Sequence, residues 1–386
     1  MRKLTGILAI LALSAQALAV TFVDPALNNF LNTRSVQTTR VVVLLKYPTN
    51  LPAPRRYEST SVKQYLMQMY QASAKNVAGV VQSNPRDIKV VNQFWINNSL
   101  ALDVTPTGLR ALSQSPAVEK IYANRKVNYT LPVEAHPVRS GREAADYTYG
   151  LKDLGIDKLY AERPDINGQG VVVGLVDTGI DGKHPALKGK IALFYDASQN
   201  KITEPTDKQS HGTHTTGTIL GGDRDSVKIG VAPGAKMIGS AALDGYDMML
   251  KSMQFMLDPD GNPATADSPR LISNSWNAGG APDIELFYRA ITAWEAAGIL
   301  PVFSAGNAGP GSKTITTPHE HPSVLAIGAT DSNFKIASFS SRGPAIFQGK
   351  TIQKPDFTAP GVNVRSTVPG GGFQEMSGTS MACPHA

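Results

Sequence analysis

The chain has 386 residues, 41% hydrophobic and 18% charged, the composition of a globular protein with length for more than one domain. A formal net charge of +6 carried by scattered Lys and Arg, with no dense basic run, reads as a solvated surface and argues against a nucleic-acid partner. The single cysteine, Cys383, excludes an intrachain disulfide and reads as a small buried filler.

The first residues have the form of an export signal. Arg2 and Lys3 precede an apolar stretch, 4–13, too short to span a bilayer, and Ala17-Leu18-Ala19 has the small-x-small form that signal peptidase cuts. The expectation is a signal peptide over 1–19, cleavage after Ala19 and a secreted, extracellular product; a retained membrane anchor is the alternative. No later stretch is long and apolar enough for a transmembrane helix, so no membrane partner is expected after signal cleavage.

Residues 38–130 read as a domain of their own. The run 41–45 is strand-like; 61–81 carries Val62, Leu66, Met69, Val77 and Val80 at helical spacing; 88–94 and 99–104 read as strands. A short helix, 107–115, follows Pro106, and 118–122 is a last strand. The order β-α-β-β-α-β predicts a ferredoxin-like sandwich. Residues 131–148, with Pro132, Pro137 and Gly141 and little apolar periodicity, read as an exposed linker, where proteolysis is easiest.

Beyond Tyr149 strand and helix alternate. The run 171–176 predicts a buried parallel strand ending at Asp177, 229–231 and 237–238 flank a Pro233-Gly234 turn, and 246–257 predicts a buried helix. A strand over 271–275, a helix from an Asp283 cap to Ala297, and strands over 299–304 and 324–330 follow. Such alternation implies a mostly parallel sheet with helices on both faces.

Three side chains have the chemistry of an activated hydroxyl. Ser380, in Ser377-Gly378-Thr379-Ser380-Met381-Ala382, sits where a loop passes into helix formers, so backbone N–H groups there favour a developing oxyanion; a plain Gly/Ser/Thr turn is the alternative. A serine needs a base held by a carboxylate, and the chain offers His211, in His211-Gly212-Thr213-His214, and Asp177, past the end of a strand where open α/β sheets bind ligands. Gly212 lets another chain pass close to the imidazole. A zinc site built from His211, His214 and Asp177 lacks the usual ligand spacing. His184, His319 and His321 read as surface or supporting groups.

With these three in place the sequence resembles the subtilisin-like serine proteases, the subtilases, whose order of Asp, His and Ser it shares. The likeness extends to Asp177-Thr178-Gly179-Ile180-Asp181 with His184-Pro185, Gly230-Val231-Ala232-Pro233-Gly234, Ser304-Ala305-Gly306-Asn307, Ser340-Ser341-Arg342-Gly343-Pro344 and Thr358-Ala359-Pro360-Gly361, in family order over 149–386. It implies a secreted endopeptidase acting on protein or peptide substrates: Ser380 as nucleophile, His211 as base and then acid, Asp177 orienting the imidazole, and Asn307, otherwise a turn residue, as oxyanion donor.

By this resemblance Ser275, Trp276, Asn277, Ala278 and Gly279 would form an edge that pairs with substrate backbone and lines the pocket for the residue before the cut bond, with bulky Trp276 leaving the pocket's preference open, and the Asn274-Ser275-Trp276 form is similar to the bacillopeptidase F branch of the family. The 38–130 unit resembles the inhibitory propeptide of subtilases, occupying the cleft until cleavage in 131–148; a plain binding domain is the alternative reading of that unit. Calcium occurs in the family, but Ala186 stands where many members carry a calcium-binding Asp and the loop after the His211 stretch contains Arg224, with Asp223 and Asp225 as the remaining oxygen ligands there, so no metal or other cofactor is assigned. Family members continue past the serine motif, whereas six residues follow Ser380. A C-terminally truncated chain is therefore expected, with a second reading: an inactive remnant whose propeptide-like domain binds or inhibits a protease in trans.

Overall fold

Strand β2 (Thr39–Leu45) explains why its sequence fails to alternate: both of its faces are covered. In the structure, a computed structural model describing residues 21–48, 54–138, 146–222, 227–242, 244–278 and 284–386, it is the middle strand of a five-stranded sheet. Around it lie β1 (Phe22–Val23), α1 (Asn28–Leu31), α2 (Ser59–Ser83), β3 (Ile88–Phe94), β4 (Ser99–Val104), α3 (Pro106–Ser113) and β5 (Val118–Ala123), in the sheet order β1-β5-β2-β4-β3. Val41, Val43 and Leu45 pack with Tyr70 and Val77 of α2 and Leu109 and Leu112 of α3. Val42 and Leu44 join the larger core, where Phe94, Ile96 and Tyr122 meet Met249, Leu250, Met253, Phe287 and Trp294 of the second unit. Each such side chain adds roughly 1.5–3 kcal/mol when fully buried.

The β-α-β-β-α-β order predicted for 38–130 is present, with two additions. β1 pairs in parallel with β5, and α1 packs on α3, so the folded unit starts before residue 38. Thr105 caps α3 by accepting from Gly108 N at 3.2 Å, with Pro106 in the first turn where its missing N–H costs nothing.

The second unit follows two connecting strands, β6 (Asn128–Tyr129) and β7 (Glu134–Pro137). It continues with α4 (Tyr149–Asp153), α5 (Ile156–Glu162), β8 (Val172–Asp177), β9 (Ile191–Asp196), β10 (Lys201–Ile202), α6 (His211–Leu220), β11 (Lys236–Ala241), α7 (Tyr246–Leu257), β12 (Leu271–Asn274) and β13 (Trp276–Asn277). It ends with α8 (Glu285–Ala296), β14 (Leu300–Ser304), β15 (Leu325–Thr330), β16 (Ala345–Phe347), β17 (Lys350–Ile352), β18 (Phe357–Pro360), β19 (Val364–Val368), β20 (Gly372–Ser377) and α9 (Thr379–Ala382). The main sheet runs β10-β9-β11-β8-β12-β14-β15-β18, parallel except for the β10–β9 pair. This is the predicted α/β fold, and its carboxyl edge carries the ends of β8, β12 and β14 side by side.

Three details depart from the sequence reading. The strand placed over 271–275 ends at Asn274, and the helix placed from 283 to 297 is Glu285–Ala296, with Asp283 outside the described residues. Residues 134–137, read as linker, pair antiparallel with β20 in a three-stranded sheet with β19. Residues 1–19, read as a signal peptide, residues 139–145 of the stretch read as linker, Asp223, Arg224, Asp225 and Gly279 also lie outside the described residues. Among the described residues no helix is long and apolar enough to cross a membrane.

The two units are also joined by a buried ion cluster. Lys63 of α2, fully buried, donates from Nζ to Asp258 Oδ1 at 2.9 Å and Asp267 Oδ1 at 2.7 Å in the loop after α7. Burial lowers the ammonium pKa, but the two carboxylates outweigh it and leave it raised.

Candidate active site

β8 carries Asp177 to the edge of the sheet, and α6 begins on His211; both are buried. Gly212 is what allows them to meet. A Cβ at that position would stand 2.1 Å from the Gly179 carbonyl oxygen and 3.1 Å from Asp177 Cβ, so only glycine lets the start of α6 press against the turn after β8.

His211 Nδ1–H donates to Asp177 Oδ1 at 2.7 Å, and the same oxygen accepts from Thr178 N at 2.7 Å. Burial pushes the His211 pKa down, but the Asp177 carboxylate, its hydrogen bond and the charge of Asp207 more than offset this and leave it above its ordinary value. His214 is different: Nε2 donates to the carbonyls of Val364 and Gln374 at 3.1 and 3.0 Å, and burial takes its pKa to about 3. It is a neutral pin between α6 and the β19–β20 hairpin.

Ser380 sits in the first turn of α9, and its Oγ–H donates to the carbonyl of Thr130. Among the described residues His211 Nε2 has no hydrogen-bond partner, although the Thr130 carbonyl is near enough to help raise its pKa. Asn307 follows Gly306, whose φ of 101° turns the chain after β14. The Asn307 amide is fixed from behind: Oδ1 accepts from Thr379 N at 2.9 Å and Thr379 Oγ1 at 2.8 Å, which leaves Nδ2 to donate forward to the Leu131 carbonyl at 2.9 Å.

The chain's own residues 128–137 therefore cross this cleft in extended form. Tyr129 and Asn128 pair antiparallel with Trp276 and Asn277, and Thr130 N donates to the Ser275 carbonyl at 2.8 Å. Past Ser380, Val133 N donates to the Ser377 carbonyl at 2.8 Å, and β7 continues the pairing along β20. Ser275, Trp276 and Asn277 thus form a backbone edge holding a peptide. The Trp276 side chain does not line the pocket: its indole is buried between Phe287 and Phe303, each 5.2 Å away, and Nε1 donates to Asn274 Oδ1. Ala278 turns away as well, bonding to Thr317 and Tyr246. A cavity of about 650 Å³ adjoins the segment, lined by Asn277, Gly306, Asn307, Thr314, Thr316 and Ser341.

His184, His319 and His321 are all buried and tie loops together; His319 Nε2 donates to the Trp276 carbonyl at 2.8 Å and so supports the peptide-binding edge. Burial raises the Cys383 thiol to about 11, so it stays protonated and unreactive. Tyr129 and Thr130 lie in no motif, and Thr379 and Ser304, although they stand inside the serine and Ser304-Ala305-Gly306-Asn307 motifs, could not be singled out as site residues because each acts through a partner distant in the chain.

A doubly covered parallel sheet, a carboxylate–imidazole pair at its edge and a serine in the first turn of a helix define a serine-peptidase architecture. Residues 168–386 match the subtilase family, and the chain belongs to it. Among curated relatives, bacillopeptidase F of Bacillus subtilis (strain 168) is 35% identical over 328 residues, 76% of this chain and 22% of that protein. The serine protease AprX of the same organism is 32% identical over 346 residues, 80% of this chain and 72% of that protein, and subtilisin E is 27% identical over 350 residues, 87% and 81%. This chain thus spans about a fifth of bacillopeptidase F and most of the other two. Fervidolysin from Fervidobacterium pennivorans, described as a keratinolytic enzyme related to subtilisin, shares the fold with a TM-score of 0.62 at 22% identity, over 90% of this chain and 53% of its own.

Proposed function

We propose that this chain is an exported serine endopeptidase made as a zymogen, with residues 38–130 as its propeptide, and that its first substrate is its own Thr130–Leu131 bond. The observation that carries this reading is the Thr130 carbonyl lying against Ser380 Oγ while its backbone is paired to the edge at Ser275.

In the reaction the Ser380 hydroxyl turns from the carbonyl oxygen to His211 Nε2, gives up its proton there, and attacks the carbonyl carbon. Asp177 holds the Nδ1–H and stabilises the imidazolium. Asn307 Nδ2 moves from the Leu131 carbonyl to the oxyanion at Thr130, one peptide unit away, aided by the N–H of Ser380. The imidazolium then protonates the Leu131 nitrogen as the C–N bond breaks. The Thr130 ester on Ser380 is hydrolysed by water that His211 deprotonates, and the same steps apply to protein and peptide substrates once the segment leaves the cleft.

The test uses the full chain and its Ser380→Ala variant. Mass spectrometry should find a fragment starting at Leu131 from the first and only intact chain from the second, with Ser380 labelled by a fluorophosphonate in the first alone. A wild-type chain that stays uncut and unlabelled overturns the reading.

A further inference from the structure

Two hydroxyl groups of the segment in the cleft bond to the second unit, that of buried Thr130 and that of half-buried Tyr129. Ser304, fully buried at the end of β14, donates from Oγ to Thr130 Oγ1 at 3.1 Å, and Thr130 is itself only 5% exposed. One residue earlier the Tyr129 hydroxyl donates to the Ala242 carbonyl and lies 3.3 Å from that of Asp177, with its ring 6.3 Å from the His211 imidazole. Burial holds the phenol well above its ordinary pKa, so it remains a donor.

A buried hydroxyl keeps its desolvation cost when its partner is removed, so a site furnished in this way rejects an isostere that lacks the group. Volume does not set the preference, since the adjoining cavity of about 650 Å³ has room for side chains larger than threonine. Among the described residues the Ser304 hydroxyl bonds to Thr130, and none of the catalytic steps calls on it. Resting on the protease reading above, we propose that the cleft selects peptides with a tyrosine–threonine pair on the acyl side of the cut bond, and that Ser304 is the residue that specifies threonine over valine.

The experiment has two arms. In the first, the self-processed full chain is given Val-Asn-Tyr-Thr, Val-Asn-Tyr-Val and Val-Asn-Phe-Thr, each with a fluorogenic amide at its carboxyl end. The expected kcat/KM is about tenfold higher for threonine than for valine and about tenfold higher for tyrosine than for phenylalanine, the effect of one buried hydrogen bond. In Ser304→Ala the threonine-to-valine ratio should fall to about one while the tyrosine-to-phenylalanine ratio stays. In the second arm, amide hydrogen exchange at residues 128–131 is followed in the uncleavable Ser380→Ala chain. Thr130→Val and Ser304→Ala should each speed exchange about tenfold, and the pair together no more than either alone.

Efficient hydrolysis with equal rates for threonine and valine overturns the selectivity and leaves the protease reading intact. No hydrolysis of any peptide, with the exchange coupling present, keeps the recognition contact and overturns the protease reading. Additive exchange effects together with a ratio of one in the wild-type chain overturn the proposal.

Discussion

Replacing Lys63 by methionine isolates the contribution of one buried cation to holding the two units together. The methionine keeps most of the apolar stem, so the change removes mainly the charge and its bonds to Asp258 and Asp267 at 2.9 and 2.7 Å. Removing one partner of a buried pair leaves the other charges uncompensated and costs about 3–5 kcal/mol. Asp267, whose side chain is 22% exposed, regains water, which places the expected loss near the lower end, about 3 kcal/mol. Urea unfolding of the Ser380→Ala chain with and without Lys63→Met measures it directly.

Two dependences make that loss diagnostic. A buried pair is screened little by salt, so the deficit should be the same at low and high ionic strength. Desolvation already holds the Asp258 carboxyl above its ordinary value, with Lys63 pulling the other way. Without the ammonium the carboxyl pKa rises further, so the deficit is small where the carboxyl is protonated and grows as pH rises through its titration. A loss below about 0.5 kcal/mol, the size of an exposed pair, or one that disappears in salt, would refute the buried-cation account.

If the proposed roles hold, Asp177→Asn should slow self-cleavage by about 10⁴-fold, the scale seen when the carboxylate of an Asp-His-Ser triad is removed, with mass-spectrometric timing of the Leu131 fragment as readout. The raised His211 pKa places the acid limb of self-cleavage above pH 6.5, because the base works only when neutral; a rate flat from about pH 5 to 9 would remove His211 from that role. Asn307→Ala should cost about 10²–10³ in the same rate. Gly212→Ala, whose Cβ meets the Gly179 carbonyl at 2.1 Å, should separate Asp177 from His211 and abolish cleavage; a soluble, fully active variant would contradict the close-approach explanation.

How far the sequence could be read depended on whether a residue's partner was local. Asp177 was legible because an apolar run must end somewhere and a carboxylate at that edge faces the crevice. The six elements between residues 39 and 123 were legible because each is long enough to show a period. β1, β6 and β13, two residues each, have no period to show, and β7 carries Pro137 on an edge where its missing N–H is tolerated. Lys63 looked like any solvated helix lysine, since the carboxylates that bury it lie 195 and 204 residues away. Family resemblance put Trp276 among the pocket-lining residues; which way its indole points is decided by Phe287 and Phe303, far from it in the chain.

The peptide that threads the cleft is fastened on both sides of its central bond, upstream by β6 on β13 and downstream by β7 on β20. A single nick between Thr130 and Leu131 would free neither end. The nicked molecule would run as one species on a native gel and elute at the volume of the intact chain, and only a denaturant would reveal two pieces. What changes at the nick is the order of the dissociation: a tethered segment rebinds at an effective concentration set by its linker, whereas a severed one obeys dilution. The same protein would therefore stay plugged where it is concentrated and open where it is dispersed.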